Sequence, residues 1–148
     1  CVDLGGDLRV HGRPWHGDRW RIGVEDPFDP DREIASFTPV EGAVTTSSTR
    51  RRAWSAAGRH YHHLLDPTTG RSAITDLVAV TTCSSRAWWS EVAAKCALLA
   101  GTVLAPQVLH DLGTPGVGVT TAGEVLVWPA EPRPRSSSAA ADARLAAV

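Results

Sequence analysis

The 148-residue chain contains no methionine and has a single lysine, Lys95, beside fourteen arginines. Its three cysteines, Cys1, Cys83 and Cys96, are odd in number and lack metal-ligand spacing, so neither a disulfide framework nor a zinc site is indicated. We expect reduced thiols, with Cys96 buried. The formal charge is −1 at pH 7, and the one cationic run, Arg50–Arg52, suits a solvated loop. Nucleic acid is therefore not an expected partner.

The chain also lacks a long apolar run and a conventional start. No apolar stretch approaches the ~20 residues that a helix needs to cross a bilayer, so no membrane segment is expected. The chain opens on strand-like residues without an initiator methionine, which predicts a piece of a longer protein. Any signal peptide would lie upstream, so the compartment stays open between cytoplasmic and membrane-associated or exported.

Short strand-like segments dominate what the chain does contain. Glycines 5 and 6 interrupt the first of them, which indicates a bulge or a close approach of a ligand. Residues 77–83 are continuously apolar and β-branched, which predicts a central strand. Residues 45–52, "TTSSTRRR", are predicted to form a polar loop whose hydroxyls and N–H groups suit a phosphate.

The later part of the chain carries the helical signals. Residues 86–100 are predicted to form one long helix that ends at Gly101, and residues 106–112 a short second helix. The long helix has an apolar stripe at helical spacing, made of Trp88, Val92, Cys96 and Leu99. Strands with one long helix predict an α+β domain over residues 1–130 with a mostly antiparallel sheet. Residues 131–148, rich in Pro, Ser and Ala, are predicted to form a disordered tail.

The segment "HYHHLLDPTTG", residues 60–70, combines a turn signal with two adjacent histidines. Asp66 and Pro67 followed by Gly70 have good turn chemistry. His62 and His63 are consecutive on a predicted strand, so their side chains point to opposite faces and at most one of them faces a given pocket.

Glu91 and Lys95 are neighbours on the predicted helix because they are four residues apart. Two interpretations stay open from spacing alone. One is an exposed ion pair, and the other is a pair that faces a polar pocket near the helix N-terminus.

The order and spacing of these motifs resemble the ApbE family of FAD:protein FMN transferases. The resemblance covers roughly residues 1–128, and its most specific part is "HHLLDPTTG". It implies a T-fold-like architecture of which this chain is the C-terminal portion. It also implies that FMN is moved from FAD, with magnesium, onto a Thr or Ser hydroxyl of an acceptor flavoprotein.

The resemblance also implies roles for individual residues. It places His62 or His63 as the proton acceptor or phosphate contact, and Glu91 and the Thr45 main chain as metal ligands. It implies flavin contacts from residues that match the family's Gly-Gly-Asp, Thr-Ser and Asp-Pro motifs, namely Gly5, Gly6, Asp7, Thr46, Ser47 and Asp66.

Lys95 departs from the family pattern, in which a Thr metal ligand follows the carboxylate by four residues. An ammonium has no lone pair to give to magnesium, so Lys95 is a candidate replacement for the metal. Three interpretations follow: an active transferase, a non-catalytic flavin-binding module, or a truncated and inactive family member.

Overall fold

The computed structural model describes residues 1–129 and 144–147, and it has an α+β fold. One helix, α1 (Ala87–Leu112), follows the eighth of eleven strands. The strands are β1 (Val2–Asp3), β2 (Asp7–Val10), β3 (Ile22–Glu25), β4 (Glu33–Thr38), β5 (Gly42–Ser48), β6 (Ala53–Ala56), β7 (Arg59–His62), β8 (Leu77–Ser84), β9 (Gly116–Thr120), β10 (Val125–Trp128) and β11 (Arg144–Ala147).

The main sheet has six strands in the order β1-β2-β5-β8-β9-β10, and all its pairs are antiparallel. A three-stranded sheet, β11-β4-β3, and the separate hairpin β6–β7 complete the fold. The predicted α+β class and mostly antiparallel sheet are therefore confirmed. The predicted central strand is confirmed as well, since β8 pairs with β5 on one side and β9 on the other.

The predicted polar loop over residues 45–52 is wrong in its first half. Thr45 to Ser48 belong to β5, which pairs with β2 and β8 at the centre of the main sheet. Thr is β-branched and fits a pleated strand well, and the strand propensity outweighed the polarity of the segment. Only residues 49–52 form the connection to β6.

The two faces of the main sheet bury different layers. On one face, α1 packs against β5 and β8 around a core that includes Leu77, Val80, Ala97 and Leu98. The other face is covered by the β3–β4 layer, and its core includes Phe37.

Helix α1 turns a face toward the sheet that differs from the predicted apolar stripe. Its buried residues are small or aliphatic, Ala93, Ala94, Ala97 and Leu98 among them. Trp88 is 57% exposed. Both faces of the helix are apolar in sequence, so periodicity alone selected the wrong face. Alanines on the inner face allow the helix backbone to approach the sheet closely.

The predicted free thiols are confirmed for all three cysteines, but the predicted burial of Cys96 is wrong for the same reason. Cys96 lies on the outer face of α1 and is exposed, whereas Cys83 is buried in the main sheet. Burial raises the pKa of the Cys83 thiol to about 12.

Gly101 interrupts α1, as the sequence predicted, with φ 72° and ψ 175°. Those angles are open almost only to glycine. The second helical segment begins at Thr102 rather than at residue 106, and the Thr102 N–H donates to Asp76 Oδ1 at 2.9 Å.

Among the described residues, α1 is also the one helix whose length and composition would suit a membrane span, with a mean hydropathy of 1.6 over an 18-residue window. The expectation of no such stretch overlooked it because Gly101 divides the apolar run. Its inner face packs on the main sheet, as in a core helix, so length and composition alone carry little weight.

The predicted tail over residues 131–148 is only partly within the described residues. Arg144–Ala147 form β11, antiparallel to β4, so the prediction of disorder is wrong for these four residues. The backbone hydrogen bonds of an open β4 edge outweighed the composition of the segment. The rest of that prediction lies outside the described residues.

Candidate functional site

A groove of about 510 Å³ opens on the face of the main sheet that carries β3 and β4. Its polar lining comes from the β1–β2 turn, the end of β3, β5, β8 and the connection after β5, and it includes the acidic side chains of Asp3, Glu25 and Asp26. We call this the groove and define it by Gly5, Gly6, Thr46, Arg50 and Arg51. These elements meet there because β2 pairs with β5.

The two glycines form the turn between β1 and β2, with φ of +72° at Gly5 and +102° at Gly6. Residues that carry a side chain rarely adopt such backbone angles. The Gly6 N–H donates to Asp3 Oδ1 at 2.9 Å. A Cβ added at Gly5 would meet no atom within 4 Å, so the space beside Gly5 is open. The two glycines that interrupt the predicted first strand therefore form a tight hairpin turn, and their backbone is exposed to the groove.

The hydroxyls of β5 divide between the two faces of the sheet. Thr46 faces the groove, and its Oγ1 lies 2.9 Å from the Thr81 hydroxyl. Thr45 and Ser47 turn the other way because strand side chains alternate, and both of their hydroxyls are buried with no hydrogen-bond partner among the residues that the structure describes. The structure therefore brings Thr46 to the groove but not Ser47.

Arg50 and Arg51 are groove residues that the sequence analysis assigned to a solvated loop. Arg51 Nη2 lies 3.1 Å from Glu25 Oε2, and the Arg50 guanidinium stacks 4.6 Å from the centre of the Phe28 ring. Both arginines are thereby held at the wall of the groove. Their sequence signal was the position of the cationic run Arg50–Arg52 within the loop that was predicted to suit a phosphate.

A second group of side chains, which we call the charged cluster, lies beside the groove but on the opposite face of the main sheet, the face that carries α1, because Asp7 pairs with Thr45. Its members are Asp7, Arg52, His63, Glu91 and Lys95, which come from β2, the β5–β6 connection, the segment after β7, and α1. Burial raises the pKa of Asp7, and the charge of Glu91 raises it further. The Thr46 N–H, Lys95 and Arg52 act in the opposite direction.

Glu91 and Lys95 form an ion pair with 2.5 Å between Lys95 Nζ and Glu91 Oε1. Both side chains are partly exposed. The charges of both residues act on Asp7, so the pair faces the end of β2. The ion pair that the spacing predicted therefore forms. Neither residue lines the groove, so the alternative that the pair faces a polar pocket stays a prediction.

The two adjacent histidines have different surroundings, as their alternation predicted. His62 is held by its own turn: its N–H donates to Ser72 Oγ at 3.0 Å, and its Nε2 lies 3.1 Å from the Ala73 carbonyl oxygen. That contact makes Nε2 the donor and leaves Nδ1, which is buried, as an acceptor without a partner. His62 therefore supports the turn.

His63 belongs to the charged cluster. Burial lowers the pKa of His63, and the positive charges of Arg52 and Lys95 lower it further, while a hydrogen bond to the Arg51 main chain opposes them. The ring is therefore neutral at neutral pH and is able to accept a proton. His63 is exposed to solvent, so a substrate hydroxyl can reach its ring.

Asp66 serves its own turn rather than the groove. Its carboxylate accepts hydrogen bonds from the Thr68 hydroxyl, from the Thr68 N–H at 2.8 Å and from the Thr69 hydroxyl at 3.0 Å, and these hydrogen bonds, the Thr68 hydroxyl first, lower its pKa. Gly70 closes the turn with its N–H on the Asp66 carbonyl at 2.8 Å. The structure shows Asp66 shaping the loop that carries the two histidines.

The residues at the positions implied for magnesium do not suit a divalent cation. The Lys95 ammonium contacts the carboxylate that would bind the metal, cannot donate a lone pair and repels a second cation. Thr45 is buried in β5 with Asp7 and Thr82 as cross-strand neighbours, not in a loop. Residues 1–129 and 144–147 also bring together no group of three or more His, Cys, Asp or Glu side chains fit to hold a metal.

Comparison with known proteins gives one consistent result. The model of the ApbE family matches residues 1–118. An FAD:protein FMN transferase of Vibrio cholerae is 36% identical over 81 residues, which are 54% of this chain and 24% of that protein. One from Rhodobacter capsulatus is 30% identical over 131 residues, which are 86% of this chain and 24% of that protein.

Solved structures agree in fold. The crystal structure of an ApbE protein from Thermotoga maritima superposes with a TM-score of 0.73 at 27% identity, over 84% of this chain and 41% of that one. The flavin transferase ApbE of Vibrio cholerae gives a TM-score of 0.65 at 24% identity, over 84% of this chain and 40% of that one. The chain spans about a quarter to a third of the length of the curated relatives it matches.

Proposed function

This chain belongs to the ApbE family, and from that premise we propose that it is part of an FAD:protein FMN transferase. The curated relatives carry that name. The proposed reaction moves FMN from FAD onto a Thr or Ser hydroxyl of an acceptor protein. The observation that carries the proposal is the charged cluster, which gathers side chains from four separate elements at the border of a groove of suitable size.

The groove is the proposed site for the flavin nucleotide. Its volume of about 510 Å³ is within the range of small-molecule pockets. Gly5 and Gly6 let a ligand approach the backbone, and Thr46 offers a hydroxyl on the floor. Arg50 and Arg51 supply positive charge for phosphate.

The charged cluster is the proposed site of the chemistry. The acceptor hydroxyl oxygen attacks the phosphorus on the FMN side of the diphosphate. The new P–O bond forms while the bond to the bridging oxygen breaks, and AMP leaves. His63 takes the proton of the hydroxyl, for which its lowered pKa keeps it unprotonated at neutral pH. Arg52 and Lys95 stabilise negative charge that develops on the phosphates.

The remaining site residues support these roles. Asp7 connects the two regions, because its carboxylate accepts from the Thr46 N–H of the groove and faces Glu91 and Lys95 of the cluster. His62 and Asp66 fix the loop that presents His63. The proposed partner is an acceptor flavoprotein with an accessible Thr or Ser.

The test is intact mass spectrometry of an acceptor domain, taken from a flavin-carrying electron-transfer subunit, after incubation with this chain and FAD. The proposal predicts a covalent FMN adduct on the acceptor. FAD binding without any adduct would contradict it and favour a non-catalytic flavin-binding module. That alternative has one observation in its favour, the engagement of the Glu91 carboxylate by Lys95. Absence of both binding and adduct would indicate an inactive, truncated family member.

A further inference from the structure

We propose that Lys95 replaces the divalent cation of the family, so that this chain binds the diphosphate of FAD without magnesium. This inference rests on the proposed function, since it concerns the same nucleotide and the same site. It concerns the means by which the negative charge of the diphosphate is neutralised.

The first step is the position of the ammonium. Lys95 Nζ lies 2.5 Å from Glu91 Oε1, in the contact that a metal would otherwise make with that carboxylate. The side chains are one helical turn apart on the same side of α1. A divalent cation at Glu91 would meet the lysine charge at close range, so occupation by the lysine and by a metal exclude one another.

The second step is the direction in which the ammonium acts. The charge of Lys95 reaches both Asp7 and His63, which lie on β2 and just after β7. The contact with Glu91 holds the ammonium within electrostatic range of Asp7 and His63, and 42% of the Lys95 side chain is exposed to a ligand. A lysine held in this way is a common ligand for phosphate, acting as a point charge.

The third step is the distribution of charge around it. The charged cluster holds the carboxylates of Asp7 and Glu91 against the cations of Arg52 and Lys95, and His63 is neutral. The groove adds Arg50 and Arg51, the latter near Glu25. Four cations, Arg50, Arg51, Arg52 and Lys95, stand near the proposed site of the diphosphate among the carboxylates of the groove and the cluster, and Lys95 is the one that contacts Glu91.

The fourth step is the composition of the chain. Fourteen of its fifteen basic residues are arginines, and the single lysine stands at this one position. Arginine would present a wide planar fork, whereas the ammonium is compact and closer to a metal ion in size. The compact group is therefore located where a cation would have to fit between Glu91 and a phosphate.

The experiment measures by fluorescence titration the affinity of the purified chain for FAD and for riboflavin. Each titration is done once in EDTA and once in a saturating concentration of magnesium, about 5 mM. The inference predicts that FAD affinity is the same in both within about twofold. Lys95→Gln is expected to weaken FAD binding by more than about tenfold in EDTA and to leave riboflavin binding unchanged, because riboflavin has no phosphate. Lys95→Arg, which keeps the charge, is the matched control and should lose less.

Each other result overturns the inference. FAD binding by the parent that weakens in EDTA shows that a metal is needed, and this arm requires no variant to fold. Equal FAD affinity in Lys95→Gln and the parent shows that the ammonium does not contact phosphate. If riboflavin binds but FAD affinity requires magnesium, only this inference fails. If neither ligand binds, the proposed function fails with it.

Discussion

The groove and the charged cluster lie on opposite faces of the main sheet, next to each other where Gly6 precedes Asp7 and Arg51 precedes Arg52, and they are constructed from different parts of the chain. The groove presents backbone and short side chains, with Gly5 and Gly6 from one tight turn and Thr46 from the neighbouring strand. The charged cluster depends on long side chains from elements far apart in sequence. The comparison suggests a division of labour, in which the groove decides which nucleotide binds and the cluster decides whether it reacts.

The largest expected effect separates the cluster from the groove. Replacing His63 with Asn removes the proposed proton acceptor, so the rate of FMN transfer should fall by about 10²–10⁴-fold. FAD affinity should change little, because His63 does not line the groove. The measurement is the rate of adduct formation at saturating FAD.

The neighbouring histidine provides the matched control for this test. His62→Gln removes a ring that supports the turn through Ala73, and we expect a smaller loss of rate than for His63→Asn. A larger loss in His62→Gln would reverse the assignment of the two histidines.

The next effect should appear in binding rather than in rate. Arg51→Ala removes a cation from the groove wall, and a charge-assisted hydrogen bond is worth about 1.5–3 kcal/mol, so FAD affinity should fall by roughly 10–100-fold. Transfer at saturating FAD should stay near the parent rate. Arg59→Ala, on the exposed hairpin strand β7, is the matched control and should bind FAD normally. Equal affinity in the two variants would remove Arg51 from the site.

The smallest effect is a shift along the pH axis. The neutral form of His63 is the proposed base, and its pKa lies below the usual 6.5 because of burial and the charges of Arg52 and Lys95. Transfer should therefore be lost on acidification only below about pH 6.5. Arg52→Gln removes a charge that disfavours protonation, which raises the pKa of His63 and should move this acid limb to higher pH. If the acid limb of the pH–rate profile does not move in Arg52→Gln, the charge of Arg52 does not lower the pKa of His63.

Local chemistry in the sequence predicted much of this arrangement. The apolar run of β8 identified the central strand, and the Asp-Pro motif identified the turn that follows the two histidines. Strand alternation separated His62 from His63. These signals depend on nearest neighbours, so they survive without knowledge of the rest of the fold.

Features that depend on tertiary contacts could not be predicted in the same way. Both faces of α1 are apolar, so only packing against the main sheet decides whether the face of Trp88 or the face of Ala97 lies inward. Pairing on both sides turned Thr45 into a buried strand residue. Arg51 gained a place in the groove only because β3 brings Glu25 within 3.1 Å.

The central claim is that the groove holds FAD while the charged cluster transfers its FMN half to a protein hydroxyl. A single-turnover experiment tests it most directly, with AMP release and FMN attachment to the acceptor followed in the same sample. The account predicts one AMP for each adduct, formed at the same rate, with both signals lost together in His63→Asn. AMP release that runs ahead of the adduct, or transfer undiminished in His63→Asn, would contradict it.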